Sequence, residues 1–352
     1  MVGAGPAGLT VASLLAAAGV EVLCCEARRR TGGRLLSLPV GEGALDLGST
    51  WYWPGEERVA RLVASAGIAT FRQYRGGDVL EDRPGGPVRI PGDRIDVPAF
   101  RYARGAQSVA HALAALLPPH VLHLDTPVVA VESAGDGMTL TTQSGPVRAD
   151  QVVVAVPPAL AVATIAFTPG LPERLDRLAR LTPVWMAETT KVVVRYPHPF
   201  WRAEGLSGTA FSLDGPLREI HDLSGPTGRP AALFGFARRP QGSPPIHDRR
   251  VTEQLIRLYG PAAGDPLQLA THDWALERYT SPVGTPSSDA YQLFGHPLYA
   301  EPVFEGRLHW ASTETAHEAA GHVEGALAGA ERAVAAVLDR RRRHRASGAR
   351  GT

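Results

Sequence analysis

Cysteine is nearly absent. The 352-residue chain has two, adjacent at Cys24 and Cys25, which excludes a disulfide framework and a thiolate zinc site and suits a reducing cytoplasm. No run of about 18 apolar residues occurs, so no membrane-spanning helix is predicted. The N-terminus lacks a charged region followed by a cleavable apolar one, so no secretory signal is read. Neither sign of charge prevails: 36 basic residues face 35 acidic ones, for a net charge of +1. That balance gives no reason to expect nucleic acid or a membrane surface as a partner. Internal repeats are also missing. Lysine is scarcer than cysteine. Lys191 is the only one, and the remaining basic residues are arginine. Arginine keeps its proton, whereas a buried lysine can lose it and offers a compact donor able to hold one water. Lys191 is therefore a candidate for a site that needs an amine.

What is present points to a packed α/β protein. Apolar residues make up 44% of the chain and charged residues 20%, enough for two lobes with real cores and too apolar for wholesale disorder. Near the N-terminus, Gly3-Ala4-Gly5-Pro6-Ala7-Gly8 forms a glycine turn. It leads into an alanine-rich helix, Thr10–Ala18, and a buried strand, Val20–Cys25. Glu26 ends that strand, 21 residues after Gly5. Turn, helix, second strand and acid in this register make a dinucleotide site. The glycines let a pyrophosphate approach the backbone, the helix N-terminus supplies free N–H groups, and Glu26 accepts hydrogen bonds from a ribose diol. Only Met1 and Val2 precede the turn, so the central first strand is almost missing, and a start upstream of Met1 is the expectation.

Further along, Arg28-Arg29-Arg30-Thr31-Gly32-Gly33-Arg34 suits a second phosphate-side contact. Glu56–Ala66 reads as an amphipathic helix, and Phe71–Phe100 as loops or a short hairpin. Arg104–Leu117 is a helix stopped by two prolines, followed by an antiparallel meander through Arg148. Val152–Val156 is an unbroken apolar strand. Lys191–Tyr196 and Ala231–Ala237 are strands, and Val251–Tyr259 is a helix. A short strand, Leu308–Ala311, precedes Ser312-Thr313-Glu314-Thr315 and a long helix from about His322 to Leu338. Arg340 onward reads as a basic, disordered tail.

Taken together, these blocks resemble the flavin monoamine oxidase family, which includes monoamine, polyamine and L-amino acid oxidases. The resemblance rests on Val2–Leu9, on Glu26-Ala27-Arg28 with Gly32-Gly33-Arg34, and on Asp46-Leu47-Gly48. It continues through Val152–Pro158, the Lys191 strand with Pro199-Phe200-Trp201-Arg202, and Thr313-Glu314-Thr315-Ala316 with Glu324-Gly325-Ala326. It implies a Rossmann-type FAD-binding lobe (1–72, 102–183 and 283–340) interleaved with a reduced α+β substrate lobe (73–101 and 184–282), ahead of the tail at 341–352. By the same resemblance Gly3, Gly5, Pro6, Ala7 and Gly8 would hold the FAD pyrophosphate. Glu26, Ala27 and Arg28 would meet the adenosine, and Gly33 and Arg34 the diphosphate. Gly48, Ser49, Thr50, Trp51 and Trp274 would approach the flavin. Val128 would contact adenine through its backbone, and Glu314 the ribityl–phosphate region. The backbone at Val323 would face the flavin C2 carbonyl, where a helix N-terminus stabilises the charge of the reduced ring. Lys191 falls on the family's lysine, which holds a water against flavin N5. No metal is implied.

Departures from the family pattern shape the remaining expectations. The position that often carries a cysteine bound to FAD reads Val283, so FAD should be noncovalent. The two aromatic residues that frame a substrate amine read Gly284 and His322; the histidine could orient a polar substrate or act as a base. Ser312 replaces a glycine at close flavin approach. The stretch between Trp51 and Arg104 is too short for the family's helical substrate subdomain, so a second subunit of a homo-oligomer would have to complete the pocket roof. The implied activity is oxidation of an amine by hydride transfer to flavin N5, with oxygen reoxidising the flavin to give hydrogen peroxide. The alternatives are a flavin desaturase or dehydrogenase acting on a C–C or C–O bond, a catalytically impaired flavin-binding protein, and NAD in place of FAD, against which the C-terminal block argues.

Overall fold

The computed structural model describes residues 1–348 apart from 42, 93–96, 136, 240–241 and 285–287. A parallel sheet organises the N- and C-terminal parts of the chain. Its order is Leu122–His123, Cys24–Cys25, Val2, Val152–Val154 and Leu308–Trp310. Short as it is, the first strand takes the central place. The Val2 N–H donates to the Val153 carbonyl at 2.9 Å and the Gly3 N–H to the Cys25 carbonyl at 2.8 Å.

Alternation of side chains explains why these strands read as continuous apolar runs, because both faces are covered. Cys24 and Val153 point to one face, which packs against the helices Pro6–Ala17, Gln107–Ala115 and Val323–Gly348. Val2, Cys25, Val152 and Val154 point to the other, against Val131, Met138 and Leu140 of an antiparallel meander. The sequence places a helix start at Thr10; the structure starts it at Pro6, with Gly5 as N-cap. Of the expected strand Val20–Cys25, only Cys24–Cys25 pairs.

A second sheet of seven strands holds the middle of the chain, in the order Gln268–Asp273, Thr189–Tyr196, Ala231–Arg238, Glu219–Asp222, Leu206–Ser212, Asp78–Arg83, Gly86–Ile90. Every pairing is antiparallel except that of Leu206–Ser212 with Asp78–Arg83. The segment read as loops or a hairpin thus contributes an edge hairpin to this sheet. Val192 and Val194 face a core with Trp201, Phe200 and the helix Asp248–Tyr259. Val193, one residue out of phase, faces Leu45, Leu47 and Trp51. Lys191 shares the parity of Val193 and is directed toward the 45–51 segment.

One sequence expectation is corrected. The basic stretch after Leu338 is not a disordered tail as far as Gly348, because the last helix runs from Val323 to Gly348. Asp339 pairs with Arg343 at 2.8 Å and with Arg342 at 3.5 Å one turn on, and arginine is a good helix former. Residues 349–352 lie outside the described residues.

Candidate active site

The glycine turn is built as its spacing requires. Gly3 has φ +97°, a conformation that favours glycine. A Cβ on Gly8 would sit 1.9 Å from the Gly3 carbonyl oxygen, so this residue lets the first helix close onto the turn. A Cβ on Gly5 would meet nothing within 4 Å. The first helix has no side-chain cap and carries Pro6 in its first turn, which leaves the N-terminal N–H groups available. Glu26 is buried behind them. Its two carboxylate oxygens accept from the N–H groups of Ala4 and Arg28, each at 2.8 Å.

A cavity of ≈ 460 Å³ runs from this turn toward the seven-stranded sheet. Gly3, Gly5, Pro6, Ala7, Glu26, Arg28, Gly33 and Arg34 line it at one end. Gly48, Ser49, Thr50, Trp51, Lys191, Trp274, His322 and Val323 line it elsewhere. Five of the expected residues lie outside the lining. Gly8 supports the helix, Ala27 lies between Glu26 and Arg28 without reaching the cavity, and Val128 packs into the meander core. Gly284 sits on a solvent-exposed turn beside the exposed Val283. Glu314 is completely buried behind Arg34, holding both guanidinium nitrogens at 2.6 and 3.1 Å. It fixes Arg34, which also donates to the Trp185 carbonyl at 3.2 Å.

Lys191 is 1% exposed. Its Nζ donates to the Gly48 carbonyl at 2.9 Å and to the Thr50 hydroxyl, and lies 4.2 Å from the Phe234 ring centroid. Burial disfavours the ammonium and lowers its pKa to about 7; buried Asp46 opposes that shift and Arg101 adds to it. Burial raises the Asp46 carboxyl in turn, against the pull of Lys191, the Ser37 hydroxyl and the Ala106 N–H. A neutral amine and an ammonium are thus both accessible to Lys191 near neutral pH.

At another wall of the cavity His322 turns its Nδ1 to Glu56 Oε1 at 2.7 Å. Its ring lies 4.8 Å from that of Trp53 and 6.2 Å from that of Trp185. Trp53, Trp185, Phe236 and Glu219 also line the cavity and belong to no sequence motif. Of the six tryptophans in the chain, Trp51, Trp53, Trp185 and Trp274 line this one cavity. Phe236 and Glu219 become visible only through register, since Phe236 pairs with Lys191 on one side and with Glu219 on the other.

The cavity suits a flavin dinucleotide on its own terms. It has open helix amides and an uncapped glycine at one end, and flat aromatic walls at the other. The buried Ser312 hydroxyl on its lining has no hydrogen-bond partner among the described residues. The sequence pattern of flavin-containing amine oxidoreductases matches residues 80–338, and that of an NAD(P)-binding Rossmann-like domain matches residues 1–66. The chain belongs to the flavin-containing amine oxidoreductase family. It is an FAD-dependent oxidoreductase of the amine oxidase type, with a Rossmann-type dinucleotide fold.

A Mycobacterium tuberculosis protein assigned as a flavin-containing monoamine oxidase, AofH, is 30% identical over 440 aligned positions, which cover 96% of this chain and 95% of the relative. A putrescine oxidase of Kocuria rosea is 27% identical over 455 positions, covering 96% and 94%. Both alignments are longer than the 352 residues of this chain, so these relatives carry stretches with no counterpart here. Among solved structures, a putrescine oxidase bound to putrescine and the cyclohexylamine oxidase of Brevibacterium oxydans each superpose with a TM-score of 0.84. Each is 22% identical and covers 96% of this chain and 98% of its own. These likenesses carry the fold. Among the described residues no helix is long and apolar enough to cross a membrane.

Proposed function

We propose that the chain oxidises the C–N bond of a small amine. The observation that carries this reading is Lys191, the sole lysine, buried on the wall of an aromatic cavity and anchored on the Gly48 carbonyl at 2.9 Å. FAD, when bound, supplies the acceptor for the hydride leaving the substrate's α-carbon. The N-terminal amides of the first helix would hold the pyrophosphate, Glu26 the adenosine ribose, and Arg34, fixed by Glu314, the diphosphate. Gly48 to Trp51, Trp274 and the helix end at Val323 would border the flavin. Lys191 Nζ would hold a water near the reacting centre, and the tryptophan walls would keep bulk water out. Glu219 and Glu26 are the two carboxylates on the lining. With Glu26 engaged at the dinucleotide end, Glu219, whose Oε1 lies 2.7 Å from His221 Nε2, is the carboxylate that would attract a cationic amine.

In this reading the cofactor is noncovalent, since valine stands at position 283 and is 97% exposed. Oxygen would be the final electron acceptor, giving peroxide. The FAD lobe comprises 1–72, 102–183 and 283–340, and the substrate lobe 73–101 and 184–282. The test is anaerobic flavin reduction by a panel of primary amines, with ammonia and peroxide assayed under air. Lys191→Met should retain FAD and slow reduction by about 10²-fold or more. Reduction at the wild-type rate would remove Lys191 from the chemistry, and a flavin that no amine reduces would remove the activity.

A further inference from the structure

An amine enters at neutral pH as an ammonium, which has no lone pair to support loss of a hydride from its α-carbon. Something in the site has to take that proton. We propose that His322 is the base that takes it, and that Glu56 is the positioning residue that makes it one. The inference rests on the amine oxidase reading above.

The geometry has three parts. First, Nδ1 of His322 meets Glu56 Oε1 at 2.7 Å, and the other oxygen of Glu56 accepts the Trp53 N–H at 2.9 Å, so the carboxylate is fixed at both ends. A carboxylate accepts only, so Nδ1 carries the hydrogen and the lone pair sits on Nε2. Second, Nε2 has no hydrogen-bond partner among the described residues, and the side chain lines the same cavity as Lys191. Third, the ring is held by Trp53 at 4.8 Å and its backbone by the Thr313 hydroxyl, which donates to the His322 carbonyl at 2.8 Å. A histidine fixed by a carboxylate on one nitrogen and open to a cavity on the other is arranged for proton transfer.

The step balances simply. One N–H bond of the substrate ammonium breaks and its electron pair stays on the substrate nitrogen. An N–H bond forms on Nε2, and the resulting imidazolium is stabilised by Glu56. The free amine then has the lone pair that the departing hydride requires. The other charged groups are accounted for. Arg58 is paired with Glu318, Glu324 and Glu331, and Arg34 with Glu314. Lys191 and Glu219, on the seven-stranded sheet, line the same cavity, Lys191 held by the Gly48 carbonyl at 2.9 Å and Glu219 Oε1 lying 2.7 Å from His221 Nε2.

The experiment uses the oxidised holoenzyme with ring-15N-labelled histidine. The probe is α,α-dimethylbenzylamine, which has no α-hydrogen to lose, and its binding is read from the shift of flavin absorbance. The His322 signals, assigned by difference with His322→Asn, should move from the neutral to the imidazolium pattern when the probe binds at about pH 8. Benzylamine should reduce the flavin of His322→Asn about 10²-fold more slowly than wild type at pH 7. That gap should close toward pH 10, where free amine is abundant. Glu56→Gln should lower the pH of the acid limb of the wild-type profile. A probe that binds while His322 stays neutral, or a loss in His322→Asn that is the same at every pH, overturns the inference and leaves the amine oxidase reading intact. An unmoved acid limb in Glu56→Gln overturns the role of Glu56. If no amine shifts the flavin spectrum, both the inference and the reading beneath it fall.

Discussion

Lys191 Nζ stands 2.9 Å from the Gly48 carbonyl oxygen across 143 residues of chain. The contact ties a strand of the seven-stranded sheet to the loop that follows the glycine-rich N-terminal segment, and it does so with a lysine that is 1% exposed. Folding must therefore bear the cost of burying an amine, and that cost depends on pH.

The folded pKa of Lys191 is about 7, below its ordinary 10.5, because burial disfavours the charge. Between those pH values the unfolded chain binds the proton and the folded chain does not, so stability rises with pH across that window. Below about 7 the full penalty is present; above 10.5 it is gone. Lys191→Met removes the titration. Its stability relative to wild type should be greatest near pH 6 and should decline toward pH 10, by a few kcal/mol in all, on the order given by the shift. Denaturant unfolding of flavin-free protein at several pH values measures this, and parallel pH profiles for the two proteins would contradict it.

Gly5 and Gly8 should separate binding from folding. At Gly8 an added methyl meets the Gly3 carbonyl oxygen at 1.9 Å, so Gly8→Ala should cost about 1–3 kcal/mol of stability. Gly5 has φ −73° and ψ −179° with open space beyond. Gly5→Ala should fold within about 0.5 kcal/mol of wild type yet weaken FAD binding by about tenfold, or 1.4 kcal/mol. Unfolding midpoints and flavin fluorescence titrations give the two numbers.

Glu314→Gln should loosen Arg34. The variant keeps the shape but loses the charge that holds both guanidinium nitrogens, and about 1–3 kcal/mol of stability with it. FAD affinity should fall as well, although Glu314 itself does not line the cavity. An unchanged dissociation constant would show that Arg34 keeps its place without this partner.

Acid precipitation should leave all the flavin in the supernatant and none in the pellet. Yellow protein after washing would mean that a residue other than one at position 283 forms a covalent link.

The parts of this site that could be read from sequence are those set by local backbone geometry. The glycine turn, the first helix and Glu26 depend on spacing along one short stretch, whereas the strand at Lys191 carries an unbroken apolar run whose two faces the sequence does not tell apart. The solitary lysine was visible from composition. Phe236 and Glu219 were not, because only the pairing of three strands brings them beside Lys191, and pairing is a nonlocal property. Glu56 was hidden for the same reason, since it lies 266 residues from His322. Gly284 and Glu314 were matched to family positions, but the cavity is defined by how loops pack. The turn at 284 faces solvent, and Arg34 covers Glu314. The extension of the last helix past Leu338 depends on Asp339–Arg343 pairing, which a count of basic residues hides.

The strand Ala231–Arg238 lies between the one that carries Lys191 and the one that carries Glu219, and Phe236 is in register with both. A one-residue slip of this strand would send Phe236 to the opposite face and break the row without altering any residue. The register of these three residues is thus set by hydrogen bonds of the backbone, and the contact of Lys191 Nζ with the Gly48 carbonyl fixes where the amine ends. Inserting or deleting a single residue in the middle strand would re-tune which ligands the cavity accepts, whereas the same change in the edge hairpin at 78–90 would leave that ruler untouched.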